Sequence, residues 1–374
     1  MFVNPFNPTF GAVPTYWAGR RELLDNFVKA LEPGASYRHR MLLIGGVRGI
    51  GKTALLNEFE DRARQQGWIV LPTSARVDFV SRLVESDIPE QLQQLSGEKK
   101  RVLSSIGVAG VGQISTESND QGHPVATLLT RLHELYEYLN QTGVLITVDE
   151  IQDAPTDELV ELAVTIQHLI REGREIALIV TGLQHQLGRL TDLPGATFLR
   201  RAEQAIIGPL TDADSQAVFL GTVEDSTVQW SSSAVDKAVA LAQGYPYLVQ
   251  LVGFEAWDAA DSHNRSEIIS EDIEEIAHRV IEDMGEKVHS PTLKDLTAAE
   301  RDFVTAMAGL SDAAEVDIAG LADALGKPQK ALSRVRQQLI DAGVIAPVGW
   351  GKLTFTMPYF AEYLRSVPRI RYVQ

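Results

Sequence analysis

The sequence predicts an α/β protein: a doubly wound parallel sheet followed by two mostly helical units. Three observations carry this. Up to about residue 210, short apolar runs alternate with stretches of helical period. From Thr211 to about Met284 the pattern holds helices only. After Leu296, three helical stretches give way to two β runs around Gly349-Trp350-Gly351, the order of a winged helix-turn-helix.

The elements follow in chain order. Residues 1–18 are rich in Pro, Asn and aromatics, which suits an extended segment lying on a surface. Leu23, Leu24, Phe27, Val28 and Leu31 recur at helical spacing until Pro33-Gly34. Met41 to Ile44 is a strand, Gly45-Gly46 opens a glycine loop, and Lys52 to Gln66 reads as a helix. Trp68 to Leu71 is a second strand and Val77 to Leu95 a helix. Val102 to Thr116 is ambiguous, with a hairpin as one reading, and Ser118 to His123 reads as a mobile loop. Val125 to Asn140 is helical, Gly143 to Val148 a strand apolar on both faces, Pro155 to Glu172 a helix, and Ile176 to Val180 and Gln204 to Ile207 further strands. Four units are expected: an N-terminal extended segment (1–18), the sheet domain (19–210), a helical lid (211–290) and the winged helix (291–374).

The length of 374 residues exceeds the roughly 250–300 at which one core stops growing, in keeping with several domains. No run approaches the roughly 18 apolar residues of a membrane span, so a cytoplasmic location without membrane contact is expected. The absence of cysteine excludes disulfides, thiolate zinc sites and cysteine nucleophiles. The formal charge of -16 disfavours polyanion binding by the chain as a whole. From Leu296 to Gln374, however, nine basic residues face eight acidic ones, leaving -17 on the remainder.

Gly46-Val47-Arg48-Gly49-Ile50-Gly51-Lys52-Thr53 satisfies G-x-x-x-x-G-K-[ST] between a strand and a helix. Glycines at 46, 49 and 51 let backbone N–H groups, including those of Ile50 and Ala54 where the helix opens, point at phosphate oxygens. Lys52 is placed for the β and γ phosphates and the Thr53 hydroxyl for Mg²⁺. About 100 residues on, Val144 to Val148 ends in Asp149-Glu150. Asp149 would hold Mg²⁺ and Glu150 polarise the attacking water; an N-terminal charge on the next helix is the alternative for Glu150. Thr181, ending the next strand, either orients the same water or is a plain turn residue. With no Asn-Lys-x-Asp in the chain, ATP is favoured over GTP.

These motifs resemble the AAA+ and STAND ATPases, especially archaeal-type ATPases related to Orc1/Cdc6. The resemblance implies a P-loop NTPase sheet of the ASCE/AAA+ type with Walker A, Walker B and Thr181 as a sensor, and slow ATP hydrolysis. Trp17-Ala18-Gly19-Arg20-Arg21-Glu22-Leu23 is similar to the family's entry motif, which places Arg20 near adenine. Gly244-Tyr245-Pro246 resembles the STAND G-x-P, which puts Pro246 on the nucleotide; read alone, Gly244 ends one helix and Pro246 starts the next. Arg200 and Arg201 stand where AAA+ proteins carry a finger reaching a neighbouring subunit, here Arg201, unless they are surface arginines capping a helix. No arginine of the lid helices is assignable as sensor 2, which moves the resemblance toward STAND.

In the C-terminal unit, Gln329 to Gln338 is the expected recognition helix, with Lys330, Arg334 and Arg336 near one another, Lys327 at its start, and Trp350 and Lys352 at the wing tip. Duplex DNA contacts compete with a solvated helix face plus a packed tryptophan. Three functions stand side by side: an ATP-driven switch engaging DNA or a protein, a DNA-binding regulator with ATP as a structural ligand, and an ATP-dependent oligomeric loader.

Overall fold

A computed structural model describes residues 3–9, 11–32, 34–35, 37–105, 126–139, 142–191, 197–310 and 315–366. Strands β1 (Met41–Gly45), β2 (Ile69–Ser74), β3 (Val144–Asp149), β4 (Ile176–Gly182) and β5 (Glu203–Ile206) form one sheet in the order β2-β3-β4-β1-β5. Its pairings are all parallel. The central strands β1, β3 and β4 are buried almost throughout, as continuous apolar runs require, whereas edge strand β5 alternates in exposure. Leu42, Ile44, Leu145, Ala177 and Ile179 face one core and Met41, Leu43, Ile146, Leu178 and Val180 the other. The first core continues without a break through lid residues such as Phe219 and Trp257 into Phe303, Leu339 and Phe360 near the C-terminus.

Because every strand runs the same way, their carboxyl ends share one edge. Helix α1 (Arg21–Ala30) and helix α2 (Lys52–Gln65) belong to the core on the Leu42 and Ile44 face, with Phe27 and Phe59 meeting edge to face at 4.9 Å. The expected helix from Val77 is observed as one helical run, Phe79 to Ser105, with a π-type turn at Leu83–Asp87. Residues 102–105 thus belong to a helix and not to a hairpin. The remainder of that ambiguous stretch and the loop expected at Ser118 to His123 lie outside the described residues.

The lid corrects the expectation of helices only. Gln229–Trp230 and Glu267–Ile268 pair as two short parallel strands. Two-residue strands have no periodicity to detect. Ser270 to Asp295 is one helical run with a π-type turn at Gly285–His289, so residue 290 lies inside it. Beyond it, helices Ala298–Leu310, Ile318–Leu325 and Gln329–Asp341 pack with a three-stranded antiparallel sheet. Its members Ile345–Pro347 and Lys352–Phe355 form the expected ribbon, and Val316–Asp317 adds a third strand on the far side of Lys352.

The N-terminal segment lies on the lid. Phe6 is buried against Phe219 and Trp230, and a Cβ on Gly253 would approach its ring to 2.3 Å. The Asn4 amide donates to Phe254 O (3.0 Å) and Asp258 Oδ1 (2.9 Å). Farther along, Gly11 O accepts from Asn57 Nδ2 on α2 at 2.8 Å, so the segment ties lid to sheet domain.

Candidate active site

The glycine loop leaves β1 and enters α2 with Gly49 at φ +70° and Gly51 at φ +88°, where L-residues are strained. A Cβ on Gly46 would sit 2.7 Å from Ile50 Cγ2 and 2.9 Å from Ile207 O. The first turn of α2 has no side-chain cap, which leaves its amides for an anion. Lys52 is buried, and its Nζ donates to Gly46 O (3.3 Å) and Val47 O (3.1 Å). Burial lowers the Lys52 pKa, while Glu150 and Asp149 act against that.

The acidic pair sits beside the loop because β4 alone separates β3 from β1. Thr53 Oγ1 donates to Asp149 Oδ2 at 2.7 Å, and Asp149 Oδ1 accepts from Thr181 Oγ1 and from Glu150 N (3.0 Å). Thr181 therefore touches Asp149 first; its hydroxyl is 3.4 Å from the Glu150 amide. The direct Thr53–Asp149 contact brings together two hard oxygen donors of the kind Mg²⁺ takes, so these residues fit the metal. Glu150 adopts φ +56°, a strained conformation for a side-chain-bearing residue. Its Oε2 accepts from Gln152 Nε2, whose amide oxygen is in turn held by Leu183 N at 3.3 Å. Gln152 is absent from the sequence expectations.

A cavity of about 380 Å³ opens over the loop. Gly49 to Leu55 form its floor, Glu150 one end, and Tyr16, Trp17, Ala18 and Arg20 a side wall. Ile50, Ala54 and Pro246 are among its lining residues. Arg20 Nη2 donates to Gly208 O at 2.6 Å, and burial lowers its pKa against the pull of Asp214. The lid contributes Val218, Tyr247, Val249 and Gln250, and the N-terminal segment contributes Asn7, Pro8, Thr9, Gly11, Ala12 and Pro14. The lid contribution goes beyond the expected Pro246, and that of the N-terminal segment was not expected, because an extended segment without periodicity gives no sign of what it packs on.

Tyr245 was expected only as the middle of a helix break. It is buried, its hydroxyl donates to Arg48 O at 2.8 Å, and a Cβ on Gly49 would lie 1.8 Å from that hydroxyl. Burial raises the phenol pKa, which keeps the donor protonated. Arg48 Nη1 also pairs with Asp295 Oδ2 at 3.2 Å.

The remaining expected residues lie elsewhere. Arg200 and Arg201 are exposed on the turn Thr197–Arg201 before β5, with Arg200 Nε donating to Thr191 O at 2.9 Å. Among the described residues neither lines the cavity. Lys327, Lys330 and Arg334 are exposed, and Arg336 is half-buried. Lys352 pairs with Glu315 at 2.9 Å, which ties it to the small sheet. Trp350 is fully exposed, so the packed-tryptophan reading is wrong; a Gly-Trp-Gly turn offers it nothing to pack against.

Residues 16–180 match the AAA ATPase domain family, and residues 286–364 match a domain of unknown function, DUF8462. No curated protein matches the chain. Among solved structures, the fold is similar to a Walker-type ATPase of Pyrococcus abyssi (17% identity, TM-score 0.61, covering 93% of this chain and 96% of that one). It is equally similar to the ORC2 protein of Aeropyrum pernix, solved as ADPNP-ADP complexes (14% identity, TM-score 0.61, covering 96% and 94%). Among the described residues no helix is long and apolar enough to cross a membrane. Residues 16–180 thus match an AAA ATPase domain, and the chain has an AAA+ P-loop fold similar to that of the Aeropyrum pernix ORC2 protein.

Proposed function

We propose that the chain is an ATP-binding and ATP-hydrolysing switch of the AAA+/STAND class. The observation that carries the reading is the contact of Thr53 with Asp149 at the mouth of a glycine loop whose lysine is already buried beside it. Bound with ATP, Mg²⁺ would neutralise charge on the β and γ phosphates. Lys52 turns its ammonium from loop carbonyls to phosphate oxygens. Thr181 fixes the Asp149 carboxylate, and Glu150, held by Gln152, accepts the proton of the attacking water. The apolar side wall and Arg20 take the nucleoside end, and Pro246 closes over it from the lid. Arg201, exposed before the edge strand, is available to a second copy of the chain as a finger on its γ phosphate.

The output of the switch is assigned to the C-terminal unit, read as a winged helix. Its exposed Lys327, Lys330 and Arg334 and the exposed Trp350 support duplex DNA as the partner, with a protein partner as the alternative. The four units proposed from the sequence serve as surface segment, nucleotide-binding domain, lid and output.

Titration calorimetry with ATP and Mg²⁺, paired with a phosphate-release assay, tests the core of this. Wild type should bind and turn over, and Lys52→Ala should lose at least about tenfold in affinity with the charge-assisted phosphate contacts. Equal affinity in the two proteins sinks the site assignment.

A further inference from the structure

Arg48 lies in the glycine loop yet is not among the residues that line the cavity. Two distant segments hold it. From the lid, the buried Tyr245 hydroxyl donates to Arg48 O at 2.8 Å. That tyrosine is seated by Gly244 at φ +68°, where a Cβ would approach Leu210 O to 2.2 Å, and by the bond from Leu210 N to Gly244 O at 2.7 Å. From the C-terminal side, Asp295 Oδ2 accepts from Arg48 Nη1 at 3.2 Å. Gly343, just past helix Gln329–Asp341, lies with its Cβ direction 3.8 Å from Val47 Cα and 4.0 Å from Arg48 N. The C-terminal unit therefore touches the same residue, Arg48, that the lid holds by its carbonyl.

We propose that Tyr245 and Asp295 are positioning residues for the nucleotide: together they fix the Arg48 peptide, so that loosening either the lid or the C-terminal unit is felt at the phosphates as faster release. The two contributions are unequal. Tyr245 makes a buried bond, and removing its hydroxyl leaves Arg48 O without its donor, which costs more than an ordinary hydrogen bond. The Arg48 and Asp295 side chains are 47% and 64% exposed, and solvent screens such a pair. Asp295 accordingly modulates, and Tyr245 holds. This rests on the ATPase reading above and adds the route by which the output unit reaches the loop.

The test is dissociation of a fluorescent ADP from the full-length protein, measured by stopped flow in Mg²⁺ and accompanied by thermal melts. Tyr245→Phe should speed release about five- to tenfold, and Asp295→Asn about twofold, with Asp295→Glu returning near the wild-type rate. A merely structural contact would lower the melting temperature and leave release unchanged. Wild-type release rates in both Tyr245→Phe and Asp295→Asn overturn the proposal while leaving the ATPase reading intact. Failure of the wild type to bind nucleotide at all overturns both.

Discussion

Around the glycine loop, buried and half-buried groups fix one another: Lys52 on loop carbonyls, Thr53 and Thr181 on Asp149, Tyr245 on the Arg48 carbonyl. On helix Gln329–Asp341 Lys330 and Arg334 stand in solvent, Arg336 is half-buried, and only Leu332 and Leu339 are buried. The first region is over-determined, since moving any member leaves a buried polar group unpaired. The second is held by its apolar side alone, so its charged face is free to be what a partner requires. Substitutions should therefore act through chemistry and geometry at the loop and through salt-dependent attraction at the helix.

The sharpest way to break this contrast is Glu150→Gln. It keeps shape and the Gln152 contact but cannot accept a proton, so turnover should fall about 100-fold or more while ATP affinity stays within about twofold. Unchanged turnover would make Glu150 structural. Mixing that protein with Arg201→Ala extends the test. Recovered activity places Arg201 across an interface, and none, with only monomers in ATP, removes it from catalysis.

The core of the C-terminal unit can be probed apart from its surface. His289 is buried between Phe360 and Tyr363, with ring centroids 5.2 and 5.3 Å away. Burial lowers its pKa from 6.5 to about 4, against the opposing effect of the Pro358 backbone. The unfolded chain therefore takes up the proton first. Stability is complete above about pH 6.5 and drains away as pH falls toward 4, by about 3 kcal/mol for a shift of this size. Urea unfolding at stepped pH should show that loss, and His289→Leu should remove this part of the slope. A wild-type profile flat over the window would refute the assignment.

The smallest effect belongs to the exposed helix. If it engages duplex DNA, Lys330→Ala with Arg334→Ala should weaken binding modestly and cut the salt slope by about one unit per lost phosphate contact. Loss of binding without a change of slope would indicate that the two residues meet no phosphate. If the wild type does not bind duplex even at low salt, the DNA reading fails in favour of a protein partner.

What the sequence made legible follows the same division. Lys52, Thr53, Asp149 and Glu150 could be read because each sits at a fixed offset within or just beyond a strand, and a parallel sheet brings strand ends together. Thr181 could be found but not its partner: its contact depends on β4 lying between β1 and β3. Tyr245, Gln152 and the cavity wall from the N-terminal segment were illegible. They act through long-range contacts or local turns that leave no periodic trace, and Gly-Tyr-Pro reads equally well as punctuation. The strands Gln229–Trp230 and Glu267–Ile268 escaped for want of length.

Phe6 packs on residues 219, 230 and 253, which gives the nucleotide cavity a birth date. On the ribosome the loop, its lysine and the acidic pair exist once residue 150 has emerged. The wall formed by the N-terminal segment can bond to α2 early, through Gly11, but the seat of its Phe6 is complete only when the lid helix Pro246–Ser262 follows. At roughly 5–20 residues per second, that is a delay of about 5–20 s. For that interval the glycine loop and acidic pair exist without the enclosure, so, on the proposed function, nucleotide would exchange freely with the cell's pool until the lid is made.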